Sequence, residues 1–109
     1  MESSLEKKQR VNLLMDCYSD LLTEKQQTYL EYYYQEDYSL SEIAQILDVS
    51  RNAVFDNLKK AVHSLENYEE KLQLLEKHQK RLEIIDDLEK DIKEEHKNID
   101  EHLQMLRDL

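Results

Sequence analysis

The chain contains no glycine and no proline in its 109 residues. These two residues supply the tight turns of β-hairpins, so their absence argues against a β-rich fold. Apolar residues instead recur at intervals of three and four, which places them on one face of successive helices. The pattern predicts an all-α fold, and the length favours one domain or one domain with an appendage.

The first predicted helix runs from Leu5 to Leu22. Cys17 is the only cysteine, so no internal disulfide can form. Its neighbours Asp16 and Asp20 have the wrong charge to stabilise a thiolate, which favours a half-buried structural role over catalysis. The apolar side chains expected on the buried face of this helix are Val11, Leu14, Met15, Tyr18, Leu21 and Leu22.

A second helix is predicted from Thr23 to about Glu36. Thr23 and Gln26 have the spacing of a capping box, in which each side chain bonds the backbone N–H of the other. The tyrosines of this helix could stack on single-stranded bases, but burial of their rings in a core is favoured. Core spacing is assigned to Leu30, Tyr33 and Tyr34, and partial exposure is expected for Tyr29, Tyr32 and Tyr38.

Residues 39–65 have the pattern of a helix-turn-helix. Ser39 and Glu42 form a second capping box, which starts a short helix from Leu40 to Leu47. Asp48 stands at the turn, where its side chain tolerates a left-handed backbone better than most residues do. The inward side chains expected from this helix and turn are Leu40, Ile43, Ala44, Leu47 and Val49.

The second helix of the motif is predicted from Arg51 to about Leu65. Ser50 precedes it and is expected to cap it by accepting a backbone N–H bond. A small inward Ala44 on the preceding helix allows the close crossing that the motif requires. The inner face of the second helix is assigned to Val54, Leu58, Ala61, Val62 and Leu65.

Apolar residues continue at spacings of three and four almost to the end of the chain. The seven-residue register slips between Leu82 and Ile92, which favours long helices packed on the domain or on a partner over a strict coiled coil. Asn67 and Asn98 each precede a Glu by three residues and could mark breaks between helices. The predicted organisation is therefore a helical domain at 1–66 and a helical extension at 67–109 for packing or dimerisation.

The charge of the chain is strongly acidic, with 15 basic and 25 acidic residues and a formal net charge of -10. Such a surface repels phosphate. The imbalance is uneven, because residues 39–62 contain three basic and three acidic side chains. The helix-turn-helix is thus the least acidic part of the sequence.

One hypothesis is a regulator that binds DNA or RNA. Ser50 and Arg51 would meet phosphate at a helix N-terminus, where N–H groups and the helix dipole favour an anion. Asn pairs with adenine, and Ala contacts a thymine methyl group. Arg51 is the only cation in the first two turns, and Asp56 has the wrong sign for DNA. The candidate contacts are Ser50, Arg51, Asn52, Ala53, Asp56, Asn57, Lys59 and Lys60.

A second hypothesis is a protein-interaction module. An exposed Phe55 among polar residues would be a common type of anchor for a partner, and its alternative is burial against the C-terminal helices. A lone helix with a row of leucines needs a surface on which to bury them, so a homodimer or higher oligomer is expected. The candidate partner-binding residues are Phe55, Leu72, Leu75, Leu82 and Ile85.

An enzyme is not expected. The four histidines form no i, i+4 pair and no HExxH motif, and the chain has no glycine-rich phosphate loop. We therefore predict no catalytic residues, no metal and no cofactor. The N-terminal residues lack the apolar stretch of a signal peptide, and no run of about 18 apolar residues is present. A cytoplasmic protein without membrane insertion is expected.

The sequence also resembles known families. The segment "SLSEIAQILDVSRNAVFDNLKKA" resembles region 4 of sigma-70-type factors. A more specific resemblance, over about residues 6–85, is to the YlxM-type family of small bacterial proteins. It is carried by "VNLLMDCYSDLLTEKQQTYLEYYYQEDYSLSEIA", "VSRNAVFDNLKK" and "LENYEEKLQLLEKHQKR". Residues 86–109 resemble nothing in particular.

The resemblance implies a fold and a setting. Members of the YlxM-type family are all-helical, with the sigma-like helix-turn-helix in the middle, and are labelled DNA-binding from that shape. Their gene commonly lies beside the genes for the signal recognition particle GTPase and its receptor. The resemblance therefore implies a part in the signal recognition particle pathway, with its protein or RNA components as partners.

Overall fold

A computed structural model describes residues 4–109, which contain helices and no strand. It forms two compact units, one extending to Leu75 and the other comprising Glu76–Leu109. The elements are α1 (Ser4–Tyr18), a 3-10 turn (Ser19–Leu21), α2 (Glu24–Leu30), a π-helical turn (Glu31–Gln35), α3 (Leu40–Leu47), α4 (Arg51–Leu72) and α5 (Leu74–Arg107).

The predicted all-α fold with a central helix-turn-helix is confirmed. The predicted breaks at Asn67 and Asn98 are wrong, because α4 continues through Asn67 and α5 through Asn98. An Asn followed by Glu favours a cap only where the chain leaves the helix. On α4 the buried side chains of Leu65 and Glu69 flank Asn67, so packing keeps this stretch helical. Residues 67–75 consequently belong to the N-terminal unit.

The core of the N-terminal unit is assembled around α4, which packs against α1, α2 and α3. The α4 residues predicted to face inward are buried, apart from the half-buried Val62. Arg10 on α1 makes two hydrogen bonds of 2.8 Å to the Glu66 carboxylate on α4. The largest fully buried side chains are Tyr18, Leu14, Leu30, Ile43, Leu65, Val11 and Val54.

The first helix is shorter than predicted and ends at Tyr18. The 3-10 turn that follows rotates Leu21 outward, so this side chain is 53% exposed, whereas Leu22 is buried. Gln27 satisfies carbonyl groups in and just after the 3-10 turn. Its Nε2 donates to Ser19 O at 2.6 Å and to Leu22 O at 3.3 Å. Predicting Leu21 as a core residue was wrong because a tighter turn replaces the last turn of the α-helix.

The two predicted capping boxes are present. Thr23 Oγ1 accepts from Gln26 N at 3.1 Å, and Gln26 Oε1 accepts from Thr23 N at 3.2 Å. Ser39 and Glu42 exchange the equivalent bonds at 3.0 Å and 3.2 Å. Each box satisfies N–H groups that the first turn of a helix leaves without a partner.

The π-helical turn changes which tyrosines are buried. Tyr29 is 2% exposed and Tyr33 is 37% exposed, the reverse of the prediction, whereas Tyr34 is buried as predicted. A π-turn takes up an extra residue relative to the α-helix, so spacings read as α-helical no longer identify the inner face. Asn12 Nδ2 of α1 donates to the carbonyl oxygen of Tyr34 at 3.2 Å and thereby ties this turn to the core.

A buried carboxylate joins the end of α4 to the start of α5. Glu69 is 8% exposed, and its Oε1 accepts from Tyr18 Oη at 2.6 Å and from Leu75 N at 3.0 Å. Tyr18 Oη in turn accepts from Leu74 N at 3.0 Å. Gln73 between the helices is left-handed, with φ 55° and ψ 32°. Glu69 and Tyr18 together therefore satisfy the first N–H groups of α5 and fix the point where the chain turns.

Candidate nucleic-acid interface

The turn between α3 and α4 holds the start of α4 at the surface. Asp48 is left-handed with φ 55° and ψ 50°, and the Val49 N–H donates to Ala44 O at 3.0 Å. Ser50 Oγ then accepts from Ala53 N at 3.0 Å and caps α4, as predicted. Val49 is 38% exposed, so its predicted place in the core is wrong. Val49 contributes to the turn through its backbone instead, because its N–H satisfies the Ala44 carbonyl group at the end of α3.

The outward face of α4 carries most of the candidate nucleic-acid contacts. Arg51, Asn52 and Asp56 are exposed in the first two turns, and Lys59 and Lys60 are exposed in the third. The core residues of α4 lie on the side of the helix opposite Asn52, Asp56, Lys59 and Lys60, so these four side chains point away from the domain. Arg51 is exposed because it is the first residue of the helix. Residues 51–60 contain three basic side chains and one acidic one, which makes this face locally basic on an acidic protein.

Three other candidates are less available to a ligand, because they are half-buried or make hydrogen bonds within α4. The Ser50 hydroxyl oxygen accepts the capping bond, although its own proton can still be donated. Asn57 is half-buried, and its Nδ2 donates to Ala53 O at 2.8 Å. Ala53 is also half-buried. Asn52 is therefore the amide side chain on this face best placed to contact a base.

Phe55 lies on the border between this outward face and the rest of the domain. Its side chain is 55% exposed. It borders a groove of about 300 Å³ together with Lys7 of α1, Tyr33 and Tyr34 of the π-helical turn, and Leu40 of α3. From α4 the groove is completed by Leu58, Lys59 and Val62. We call this feature the Phe55 groove.

The other predicted partner-binding residues differ in accessibility. Leu72, Leu82 and Ile85 are 43%, 51% and 50% exposed. Leu75 is only 3% exposed and packs in the core of the N-terminal unit, so its prediction as a partner contact is wrong. The hydrogen bond from Leu75 N to Glu69 holds it there. A row of leucines does not by itself distinguish a core residue from a contact residue.

Cys17 has the structural character expected from its neighbours. Burial raises the pKa of its thiol, and the charges of Glu69 and Asp16 raise that pKa further. The thiolate is the nucleophilic form, so a raised pKa keeps this side chain unreactive at neutral pH.

Residues 4–109 offer neither a metal cluster nor a membrane span. No three His, Cys, Asp or Glu side chains of this range come together in a group that could hold a metal ion. Over the same residues, no helix combines the length and the apolar character needed to cross a bilayer.

The α3–turn–α4 arrangement, with its capped and outward-facing second helix, defines a helix-turn-helix protein. A family model described as "Putative helix-turn-helix protein, YlxM / p13 like" matches residues 5–106, so the chain belongs to this family, also designated UPF0122.

Two relatives illustrate the extent of the similarity. UPF0122 protein OB1530 of Oceanobacillus iheyensis is 47% identical over 105 residues, which cover 96% of this chain and 98% of that protein. UPF0122 protein lin1916 of Listeria innocua is 48% identical over 108 residues, which cover 87% of this chain and 98% of its own. The predicted resemblance to the YlxM-type family is thereby confirmed, and it extends into the C-terminal unit.

Proposed function

We propose that this protein is a regulator that binds DNA or RNA through the first three turns of α4 and acts in the signal recognition particle pathway. The observation that supports the binding activity is the outward face of α4. There a capped helix N-terminus and three cations are presented beside an exposed Asn52. The pathway and its cytoplasmic setting are supported by the family resemblance described above.

The proposed contacts follow from the positions of the side chains. The start of α4 offers free N–H groups, the Ser50 hydroxyl and the Arg51 guanidinium to one phosphate. Lys59 and Lys60 lie two turns further along and would reach the flanking backbone. Asn52 would contact a base edge, for which adenine offers a matching donor and acceptor. Asp56 faces the same side and would lower the affinity by charge repulsion, except where it accepts from a cytosine amine.

The test is a titration against genomic DNA fragments and against signal recognition particle RNA, at low and at physiological salt. Arg51→Ala combined with Lys60→Ala should weaken binding and lower the salt slope by about one for each phosphate that is no longer neutralised. Lys77→Ala combined with Lys97→Ala removes the same charge from exposed positions on α5 and serves as the matched control. Equal weakening by both pairs, or no binding at physiological salt, would refute the proposal.

A second candidate function is supported by the Phe55 groove. Its walls are apolar and aromatic, and two lysines, Lys7 and Lys59, line it. This chemistry suits a protein segment that inserts an apolar side chain and carries carboxylates beside it. In this alternative the protein is an accessory factor of the signal recognition particle GTPase and does not bind DNA.

Co-purification of that GTPase tests the alternative. Phe55→Ala should abolish capture, because it removes the largest exposed apolar side chain of the groove. Ile46→Ala is the matched control, since Ile46 is 52% exposed on α3 and does not line the groove. Capture that is unaffected by Phe55→Ala, or absent from the unmodified protein, would rule out this alternative.

We further propose that the protein self-associates through its C-terminal unit. Every residue of Glu76–Leu109 is exposed in the single chain, including a row of leucine and isoleucine side chains. An isolated amphipathic helix derives little stability from its own hydrogen bonds and gains most from burying its apolar face. A homodimer provides that burial with the same sequence on both sides.

A further inference from the structure

The apolar row of α5 keeps one continuous seam. Because α5 is unbroken, positions spaced alternately by three and four residues fall on one gently drifting stripe. The apparent slip between Leu82 and Ile92 disappears when Glu89 replaces Leu88 in the series and His96 fills the next position. Leu88, which is 55% exposed, then lies beside the seam. The apolar members are between 44% and 59% exposed. The seam consists of Leu82, Ile85, Glu89, Ile92, His96, Ile99 and Leu103.

We infer that α5 pairs with α5 of a second copy as an antiparallel two-stranded coiled coil, with the two-fold axis between Lys90 and Asp91. This inference deepens the proposed self-association and is independent of nucleic-acid binding. In this register Leu82 packs against Ile99 of the second copy, and Ile99 packs against Leu82 of the second copy. A two-fold axis requires such reciprocal contacts.

The two polar seam residues determine the direction of pairing. In a parallel pair, equivalent positions face each other, so Glu89 would meet Glu89 of the second copy in the middle of the interface. Two carboxylates at such close range repel each other and would lose solvent. In the antiparallel register Glu89 faces Ile92 of the second copy and lies one layer from its His96. The only two polar seam residues of the central region therefore become neighbours with complementary chemistry.

The residues beside the seam match the same register. On one side Asp86 approaches Lys93 of the second copy, and symmetry repeats this pair, in addition to the bond of 3.1 Å that Asp86 makes to Lys90 on its own helix. On the other side Arg81 lies nearest His102 of the second copy, so no two carboxylates meet there. Flanking charges of this kind set orientation and partner choice in coiled coils.

Parallel pairing matches these charges less well. It would bring Arg81 near Asp86 of the second copy, which is favourable. It would also bring Glu95 near Asp100 of the second copy, which is repulsive. The surface is therefore complementary to itself in the antiparallel direction, and this self-complementarity identifies a second copy as the occupant.

Light scattering after size exclusion and a disulfide test examine the inference together. In a Cys17→Ser background, which removes the only cysteine, we expect Leu82→Cys to form a mixed disulfide with a tagged Ile99→Cys variant. Each variant alone should cross-link poorly. The unmodified protein should have the mass of two chains. Self-cross-linking of Leu82→Cys, a concentration-independent monomer, or a mass of three or four chains would overturn the inference.

A charge exchange tests the flanking contacts. Lys93→Glu should raise the dissociation constant of the dimer about tenfold, because it converts two attractive pairs with Asp86 into repulsive ones. Adding Asp86→Lys should restore the original value. Lys77→Glu makes the same change in charge away from the seam and is the matched control. A weakening by Lys93→Glu that Asp86→Lys does not reverse would contradict the antiparallel register.

These measurements contain no nucleic acid, so they separate the two proposals. The Arg51 and Lys60 variants should remain dimeric if the dimer inference is correct, whatever their effect on binding. A monomeric protein that still binds DNA would refute the dimer and leave the proposed function standing. A dimer that binds no nucleic acid would refute the proposed nucleic-acid binding and leave the dimer inference standing.

Discussion

The two units of this protein carry similar apolar periodicity but differ in what covers it. In the N-terminal unit the apolar faces of four helices meet, and a core of large side chains such as Tyr18, Leu14 and Leu65 is almost completely buried. In Glu76–Leu109 the same spacing leaves every side chain exposed. Periodicity identifies the face of a helix that will be buried, but the partner of that face depends on the number of helices that can reach it.

The largest effect expected from this difference is in the core. Leu65→Ala should lower the free energy of unfolding of the N-terminal unit by about 2–5 kcal/mol, because it removes a fully buried side chain and leaves a cavity. Leu103 is 44% exposed, so Leu103→Ala should change the free energy of unfolding of the N-terminal unit by less than about 0.5 kcal/mol.

The chain offers a selective probe for this comparison. All seven tyrosines lie between residues 18 and 68 and there is no tryptophan, so tyrosine fluorescence in a urea titration reports on the N-terminal unit alone. Equal effects of Leu65→Ala and Leu103→Ala on the tyrosine transition would show that the two units unfold as one.

The junction of α4 and α5 should be the next most sensitive feature. Glu69→Ala should cost about 3 kcal/mol, because the Tyr18 hydroxyl and the Leu75 N–H lose a buried acceptor. Glu70→Ala is the control, because Glu70 is the next residue on the same helix and is exposed. Comparable losses of stability in the two variants would mean that the buried bonds do not stabilise the junction.

The cap at the start of α4 should contribute less. Ser50→Ala should lower the free energy of unfolding by about 1 kcal/mol, because the Ala53 N–H loses its side-chain acceptor. Ser41→Ala, an exposed serine within α3 that accepts no capping bond, should have little effect. The stability of both variants is measured from the tyrosine fluorescence transition in urea. A Ser50→Ala protein as stable as the original would contradict the assigned cap.

The smallest expected effect is a dependence on alkaline pH. Burial raises the pKa of Tyr18, and the hydrogen bond to Glu69 raises it further. The unfolded chain then loses this proton at a lower pH than the folded chain. Stability is therefore complete below the ordinary tyrosine pKa of about 10 and falls as the pH rises through the folded-state value.

Tyr18→Phe separates this contribution from that of the other tyrosines. The variant should be less stable at neutral pH, because it loses the bond to Glu69, but its stability should fall less steeply above about pH 10. Tyr33→Phe removes a phenol whose side chain is 37% exposed and is the control. Urea titrations at several alkaline pH values would detect the difference, and parallel curves for the original protein and Tyr18→Phe would contradict it.

Local signals allowed much of the fold to be predicted. The capping boxes at Thr23 and Ser39, and the cap at Ser50, involve residues three apart, so spacing alone identifies them. The junction at Gln73 was not predictable in this way. It depends on Glu69 and Tyr18, which are 51 residues apart in the chain, and on the bonds that they accept from the start of α5.

The candidate site also combines features that local spacing predicts with features that depend on distant parts of the chain. Exposure of Asn52 and Asp56 follows from their distance around the helix from the buried Val54 and Leu58, whereas Arg51 is on the same side as Leu58 and is exposed as the first residue of α4. The Phe55 groove could not be predicted, because Lys7 and Tyr33 approach it from other helices. The exposure of Tyr33 itself depends on the π-helical turn, for which the sequence offers no local signal.

The absence of glycine has a consequence for the unfolded protein. Within residues 4–109, Asp37, Asp48 and Gln73 take the left-handed backbone conformation with φ of 60°, 55° and 55°. Glycine would reach that conformation without steric cost, but it would also give the disordered chain many more conformations to lose on folding. A chain with a side chain at every position begins folding from a narrower ensemble, and part of the stability of its turns therefore originates outside the native structure.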